Sequence, residues 1–292
     1  MVSFDVPEID YTRYTNRQLA AVPLAVLALA LLVIAGWYVA TGSPVAMGLD
    51  FTGGTELRVS VDASSDQEAH EQLENAFADE PESIRSVPAD GTYVVTFKSS
   101  DAGPEALERQ AQDAGFGVQS VDSVSASFGA ETQRLALGGV VLAFAGMSVV
   151  VFLLFRTFVP SIAVVISAFS DVVIPVAMMN LLGIELTLGT VAALLMLIGY
   201  SVDSDILLNN HILRRSGDFY ESTYRAMRTG VTMTLTSLSA MIVMTITATL
   251  FGIQLLTAIG TILVFGLAAD LMNTYLLNLS LLRWYKYEGV KR

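Results

Sequence analysis

Cysteine is absent from the 292 residues, which excludes a disulfide framework and any thiolate metal site, so redox chemistry says nothing about the compartment. Lysine occurs only at positions 98, 286 and 291, and histidine only at His70 and His211. His70 stands on a polar helical stretch among Glu68, Glu71 and Glu74 with no second histidine nearby, and reads as a solvated surface residue. No catalytic set, metal site or cofactor motif emerges, and the chain is not expected to be an enzyme. A Walker-type glycine–lysine motif is also missing, so ATP is not expected as the direct fuel.

The formal net charge of −12 is unevenly spread. Residues 42–134 hold 17 Asp and Glu against Arg58, Arg85, Lys98, Arg109 and Arg134, so this segment carries the whole imbalance. An acidic segment repels nucleic acid and suits a salt-rich exterior that screens its self-repulsion.

Apolar residues are plentiful, at 53 % of the chain with a mean hydropathy of +0.57. A membrane helix needs about 20 mostly apolar residues, and six stretches qualify: 19–41, 135–155, 158–182, 186–208, 231–251 and 255–282. The first is too long for an ordinary cleaved signal, lacks a clear small-residue cleavage site, and reads as a retained anchor. Basic residues stay in the cytoplasm. Arg13 and Arg17 precede span one, Arg156 separates spans two and three, Arg214, Arg215, Arg225 and Arg228 follow span four, and Arg283, Lys286, Lys291 and Arg292 close the chain. The expected layout is a multi-pass protein of the cytoplasmic membrane with inner termini (1–18 and 283–292), an exterior domain (42–134) and a cytoplasmic loop (209–230). In that loop Asp218 and Glu221 suggest a capping pair for a short helix along the membrane lipid.

Within the exterior segment, strands are expected at 57–61, 84–87, 93–97 and 118–125 and helices at 66–77 and 104–114. Alternation in 92–97, the Asp90-Gly91 hairpin signal, and Pro104 and Gly115 around the second helix support this. The order βαββαβ is ferredoxin-like. The fold class is thus a polytopic α-helical membrane protein with a small α+β exterior domain.

Carboxylates inside apolar spans are costly, roughly 2.5–3.5 kcal/mol at a helix centre, and are functional suspects by default. Asp171 lies about 16 Å along span three, Asp203 about 27 Å along span four and Asp270 about 24 Å along span six. Asp205 follows near the end of span four. No Lys, Arg or His falls inside an expected span to pair with them, so water, hydroxyls, amides or a bound cation must solvate them. A proton is the simplest neutraliser, and these four are the candidates for ion coupling. The hydroxyl-rich fifth span (Thr232, Thr234, Thr236, Ser237, Ser239, Thr245, Thr247, Thr249) suits close helix packing, or an ion path beside Asp171.

Two segments carry a family likeness. Gly48-Leu49-Asp50-Phe51-Thr52-Gly53-Gly54-Thr55, directly after span one, matches the G-x-D-F-x-G-G-T signature of SecD and SecF proteins. Gly199-Tyr200-Ser201-Val202-Asp203-Ser204-Asp205 resembles their fourth span, and Arg228 to Thr234 the start of their fifth. The chain therefore resembles the SecD/SecF protein-export family along nearly its entire length. Val202-Asp203 is closer to the SecD version, as in archaeal SecF proteins, than to the Asn-Asp-Thr of bacterial SecF. Locally, paired glycines permit positive φ and Asp50 can bond nearby backbone amides in a tight turn.

The resemblance implies half of a resistance-nodulation-division (RND) type transporter unit. It further implies SecD, the Sec translocation channel and the translocating polypeptide as partners, and an ion gradient (proton motive force or sodium) as the energy source. By the same resemblance Asp171 takes part in using that gradient. Small-molecule or lipid efflux and passive assembly of SecD are the alternatives.

Overall fold

The computed structural model describes residues 10–87, 91–98, 102–214 and 218–287. Asp90 of the expected hairpin, and Arg215, Lys291 and Arg292, lie outside them.

The first membrane helix, α1 (Asn16–Thr41), opens on a capping box in which Thr15 and Gln18 satisfy each other's backbone amides, and closes at Gly42 in the left-handed conformation. A short helix α2 (Leu49–Thr52) leads into β1 (Gly54–Ser60), α3 (Asp66–Ala76), β2 (Ser83–Val87), β3 (Thr92–Phe97), α4 (Pro104–Asp113) and β4 (Gly117–Val124). The four strands form one antiparallel sheet in the order β2-β3-β1-β4, the ferredoxin-like arrangement. Alternate residues of β1, Leu57 and Val59, join Val95 and Phe97 of β3 beneath Leu73 of α3 and Leu107 of α4. Glu56 and Arg58 take the opposite face because successive strand residues point to opposite sides.

His70 is more engaged than a solvated residue. Its Nδ1 lies 2.8 Å from the Asp66 carbonyl and its Nε2 3.3 Å from that of Ile84, so the ring ties α3 to β2.

Five long helical stretches follow: α5 (Ala126–Phe155), α6 (Phe158–Leu182), α7 (Leu188–Arg214), α8 (Phe219–Leu250), and a run from Gln254 to Tyr287. With α1 they make, among the described residues, six helices long and apolar enough to cross a membrane. The last run is α9 (Gln254–Met272), a π-helical segment (Asn273–Asn278) and α10 (Leu279–Tyr287). Burial separates centre from periphery. The most apolar stretches of α6 and α7 are 61 % and 50 % buried, those of α1, α8 and α5 only 17 %, 11 % and 6 %. The periphery thus turns apolar side chains outward, as lipid-facing helices do.

The connection between spans four and five differs from the sequence expectation. α7 runs six residues beyond 208 and takes His211 with it, and the short separate helix is the beginning of α8. Asp218 does cap the helix, accepting from the Tyr220 amide at 3.1 Å, but Glu221 pairs with Arg225 one turn on instead of reaching back. Gly230 does not break α8, because its missing side chain leaves room for Tyr275: a Cβ there would stand 2.1 Å from the Tyr275 hydroxyl. Similarly α5 begins at Ala126, capped by Ser125, nine residues before the expected start of span two.

Candidate functional site

The glycine-rich motif forms a clasp at the end of the bundle that carries the α+β domain. Gly48 donates to the Leu186 carbonyl at 2.9 Å and the Leu186 amide donates to Ala46 at 2.7 Å, joining the exit of α1 to the loop before α7. Asp50 does not serve its own turn: its Oδ2 accepts from the Leu188 amide at 2.9 Å, an anionic cap on the first turn of α7. Gly53 (φ 72°) and Gly54 (φ 128°) adopt backbone conformations that side chains resist, and a Cβ on them would stand 2.6 Å from Ala126 Cα and 2.2 Å from the Phe97 carbonyl oxygen. Phe51 is buried and Thr55 lies beside Ser123 of β4. The motif thereby locks the sheet, α5 and α7 together.

Deeper in the bundle, α6, α7 and the π segment converge on three buried carboxylates, Asp171, Asp205 and Asp270. Asp171 accepts from the Ser201 hydroxyl at 2.6 Å and from the Asn273 side-chain amide. Asp205 accepts from Thr274 at 2.9 Å and Asn278 at 2.7 Å. Asp270 accepts from Ser204 at 2.7 Å and, more distantly, from Thr274 at 3.3 Å. Thr274 thus lies between Asp205 and Asp270, and Ser201 and Ser204, one turn apart on α7, serve Asp171 and Asp270. A π turn suits this demand, since its extra residue per turn brings Asn273, Thr274 and Asn278 together onto one side.

All three acids are held by neutral donors, and among the described residues no Lys or Arg hydrogen-bonds or ion-pairs with them. Nor does any group of three His, Cys, Asp or Glu among those residues have the spacing of a metal site. Several buried polar atoms nearby have no protein partner: Asp205 Oδ2, both amide atoms of Asn209, and the Oδ1 atoms of Asn273 and Asn278. Buried polar groups normally find partners, and those left over mark places where a proton or water belongs.

Of the four carboxylates singled out from sequence, three come together and Asp203 does not. Asp203 is exposed on the far side of α7, beside Ala192, Met196, Gly199 and Tyr200, while Ser201 and Asp205 face inward. Two residues apart on an α-helix means nearly opposite directions. Among the α8 hydroxyls, Thr232, Thr236, Ser239, Thr245 and Thr249 each bond the carbonyl four residues back, and Thr234 is buried. Thr245 also sits over Gly260, letting α8 and α9 pack closely. The ligating residues of the π segment had a signal in the sequence, because Asp270, Asn273, Thr274 and Asn278 recur at helical spacing in an otherwise apolar span.

Comparison with known proteins agrees with this architecture. A family model described as "Protein export membrane protein SecD/SecF, C-terminal" matches residues 105–288, and one for the SecD/SecF GG motif matches residues 40–65. The protein-export membrane protein SecF of Haloferax volcanii is 76 % identical over 292 residues, covering both chains completely. That of Methanolacinia petrolearia is 42 % identical, covering 97 % of this chain and 98 % of its own. The crystal structure of SecDF, a translocon-associated membrane protein from Thermus thermophilus, superposes with a TM-score of 0.73 at 23 % identity. The match covers 98 % of this chain and 40 % of that one, so the present chain spans well under half of the solved SecDF length. The GG clasp, the six spans and the full-length relatives agree: this chain belongs to the SecD/SecF family of protein-export membrane proteins.

Proposed function

We propose that the chain is a SecF-type subunit that pairs with SecD in the cytoplasmic membrane, both termini inside, and couples an ion gradient to late steps of polypeptide export on the outer side. The observation that carries this reading is the burial of Asp171, Asp205 and Asp270 together without a fixed cation. Three uncompensated charges in hydrocarbon are prohibitively costly, so protons or an equivalent mobile cation must neutralise them. The orphaned acceptors on Asn273 and Asn278 suit the donors that protonated carboxyls would supply. The clasp gives the cluster an outward connection, since Asp50 caps the same helix, α7, that holds Ser201, Ser204 and Asp205. Loading and release at the cluster would thus bear on the exterior domain through one rigid helix.

SecD enters as the second half. The exposed stripe Ala192, Met196, Gly199, Tyr200 and Asp203 on a central helix leaves an apolar face with a small residue and a carboxylate unpartnered in this chain. A helix of the other half would cover it and bring Asp203 into the coupled system. The inner concentration of Arg13, Arg17, Arg156, Arg225, Arg228 and Arg283 supports the orientation.

A scaffold reading is favoured by one fact, that each acid already has fixed donors. Secretion in cells carrying Asp171→Asn, Asp205→Asn or Asp270→Asn separates the two. Coupling predicts export reduced on the order of tenfold with normal membrane levels of the protein and SecD; a scaffold predicts unaltered export.

A further inference from the structure

At the end of the bundle opposite the exterior domain, the segment before α1 and the end of α10 enclose a cavity of about 660 Å³. Its walls include Arg13, Arg17 and Arg283, the rings of Tyr14 and Trp284, and Asn16. Among the described residues the charge balance of the lining is positive. Asp10 engages Arg13 at 2.9 Å, but Arg283 spends its N–H groups on the neutral carbonyls of Tyr11 and Tyr14 at 2.9 and 2.8 Å. Those bonds hold the Arg283 guanidinium in place without cancelling its charge. Arg17, exposed in the first turn of α1, has no ion-pair partner among the described residues.

Two further features define what would fill this space. Asn16 Oδ1 is buried and accepts no hydrogen bond, so the occupant must offer a donor as well as negative charge. Tyr14 and Trp284 are 49 % and 42 % exposed, amphipathic rings of the kind that sit at headgroup level in a bilayer. Along α1 on the same face as Arg17, at seven-residue spacing, Leu24 and Leu31 present an exposed apolar track. A free anion would use the arginines but neither the rings nor the track.

We propose that this cavity binds the headgroup of an anionic, hydroxyl-bearing phospholipid. The phosphate lies between Arg17 and Arg283, a headgroup hydroxyl donates to Asn16 Oδ1, and the acyl chains follow α1. The bound lipid would pin the N-terminal segment to α10, the helix that continues from the π segment.

Trp284 is a built-in reporter, because the chain has only one other tryptophan, Trp37. The full chain carrying Trp37→Phe, in phosphatidylcholine vesicles with increasing brominated phosphatidylglycerol, should show saturable quenching of Trp284. In Arg17→Gln half-quenching should need about fivefold more phosphatidylglycerol, with an unchanged melting temperature in detergent showing that the fold is kept. Arg225→Gln, a basic residue on α8 outside the cavity, should leave the titration unaltered. Equal curves for the parent and Arg17→Gln, an equally large shift in Arg225→Gln, equal quenching by brominated phosphatidylcholine, or displacement of the lipid by inorganic phosphate would each overturn the proposal.

Discussion

Two positions on one helix illustrate how far side-chain chemistry can be read in advance. Asp203 and Asp205 are both acids near the end of span four, and hydropathy cannot tell which faces the bundle. The structure turns Asp205 inward, to Thr274 and Asn278, and leaves Asp203 outside. Only the rotation of α7 against α6 and α9 decides this, and that rotation is a tertiary property. At the same scale Glu56 is a frustrated residue of the α+β domain. It stands directly across β1 and β4 from Asp122, and burial pushes its carboxyl above the usual range, with Asp122, Glu185 and Asp50 adding to the shift and Arg85 opposing it. A carboxyl raised in the folded state holds its proton more tightly there than in the unfolded chain. Folding stability therefore falls as pH rises from the ordinary glutamate value through the raised one, and stays lower at neutral pH. Glu56→Gln should stabilise the α+β domain at neutral pH by a few tenths to about 1 kcal/mol and flatten this dependence, as read by melting curves across pH.

At the scale of elements, the six spans and the βαββαβ order were legible because each rests on local pattern: apolar runs long enough to cross a bilayer, alternation in 92–97, and Pro and Gly at helix ends. The π segment and the continuity of α8 were not. The two meet at a contact distant in sequence, Gly230 beneath Tyr275, whose hydroxyl donates to the Ala226 carbonyl at 3.4 Å. Gly230→Ala should push Tyr275 aside and with it the π segment that supplies donors to Asp171 and Asp205. An overpacking cost of about 1–3 kcal/mol is expected, seen as a lower melting temperature in detergent. Gly138→Ala on α5, where a Cβ meets nothing within 4 Å, should change stability by no more than about 0.5 kcal/mol.

Taken whole, the molecule is a membrane unit with a central α6, α7 and α9, a glycine clasp beside the α+β domain and an uncovered stripe on α7. Its lack of cysteine makes that stripe directly testable. Single cysteines replacing Met196 or Tyr200 should cross-link to a cysteine-bearing SecD in native membranes, while one replacing Leu32 on the periphery of α1 should not. The central claim is that a mobile cation neutralises Asp171, Asp205 and Asp270 and moves as the machine works. Its most direct measurement is ion flux in vesicles holding this chain with SecD, under a proton gradient and separately under a sodium gradient. One of the two gradients is predicted to dissipate faster than in empty vesicles, and Asp171→Asn and Asp205→Asn to abolish the difference. Vesicles that pass neither ion, or variants that pass it as fast as the parent, would contradict it.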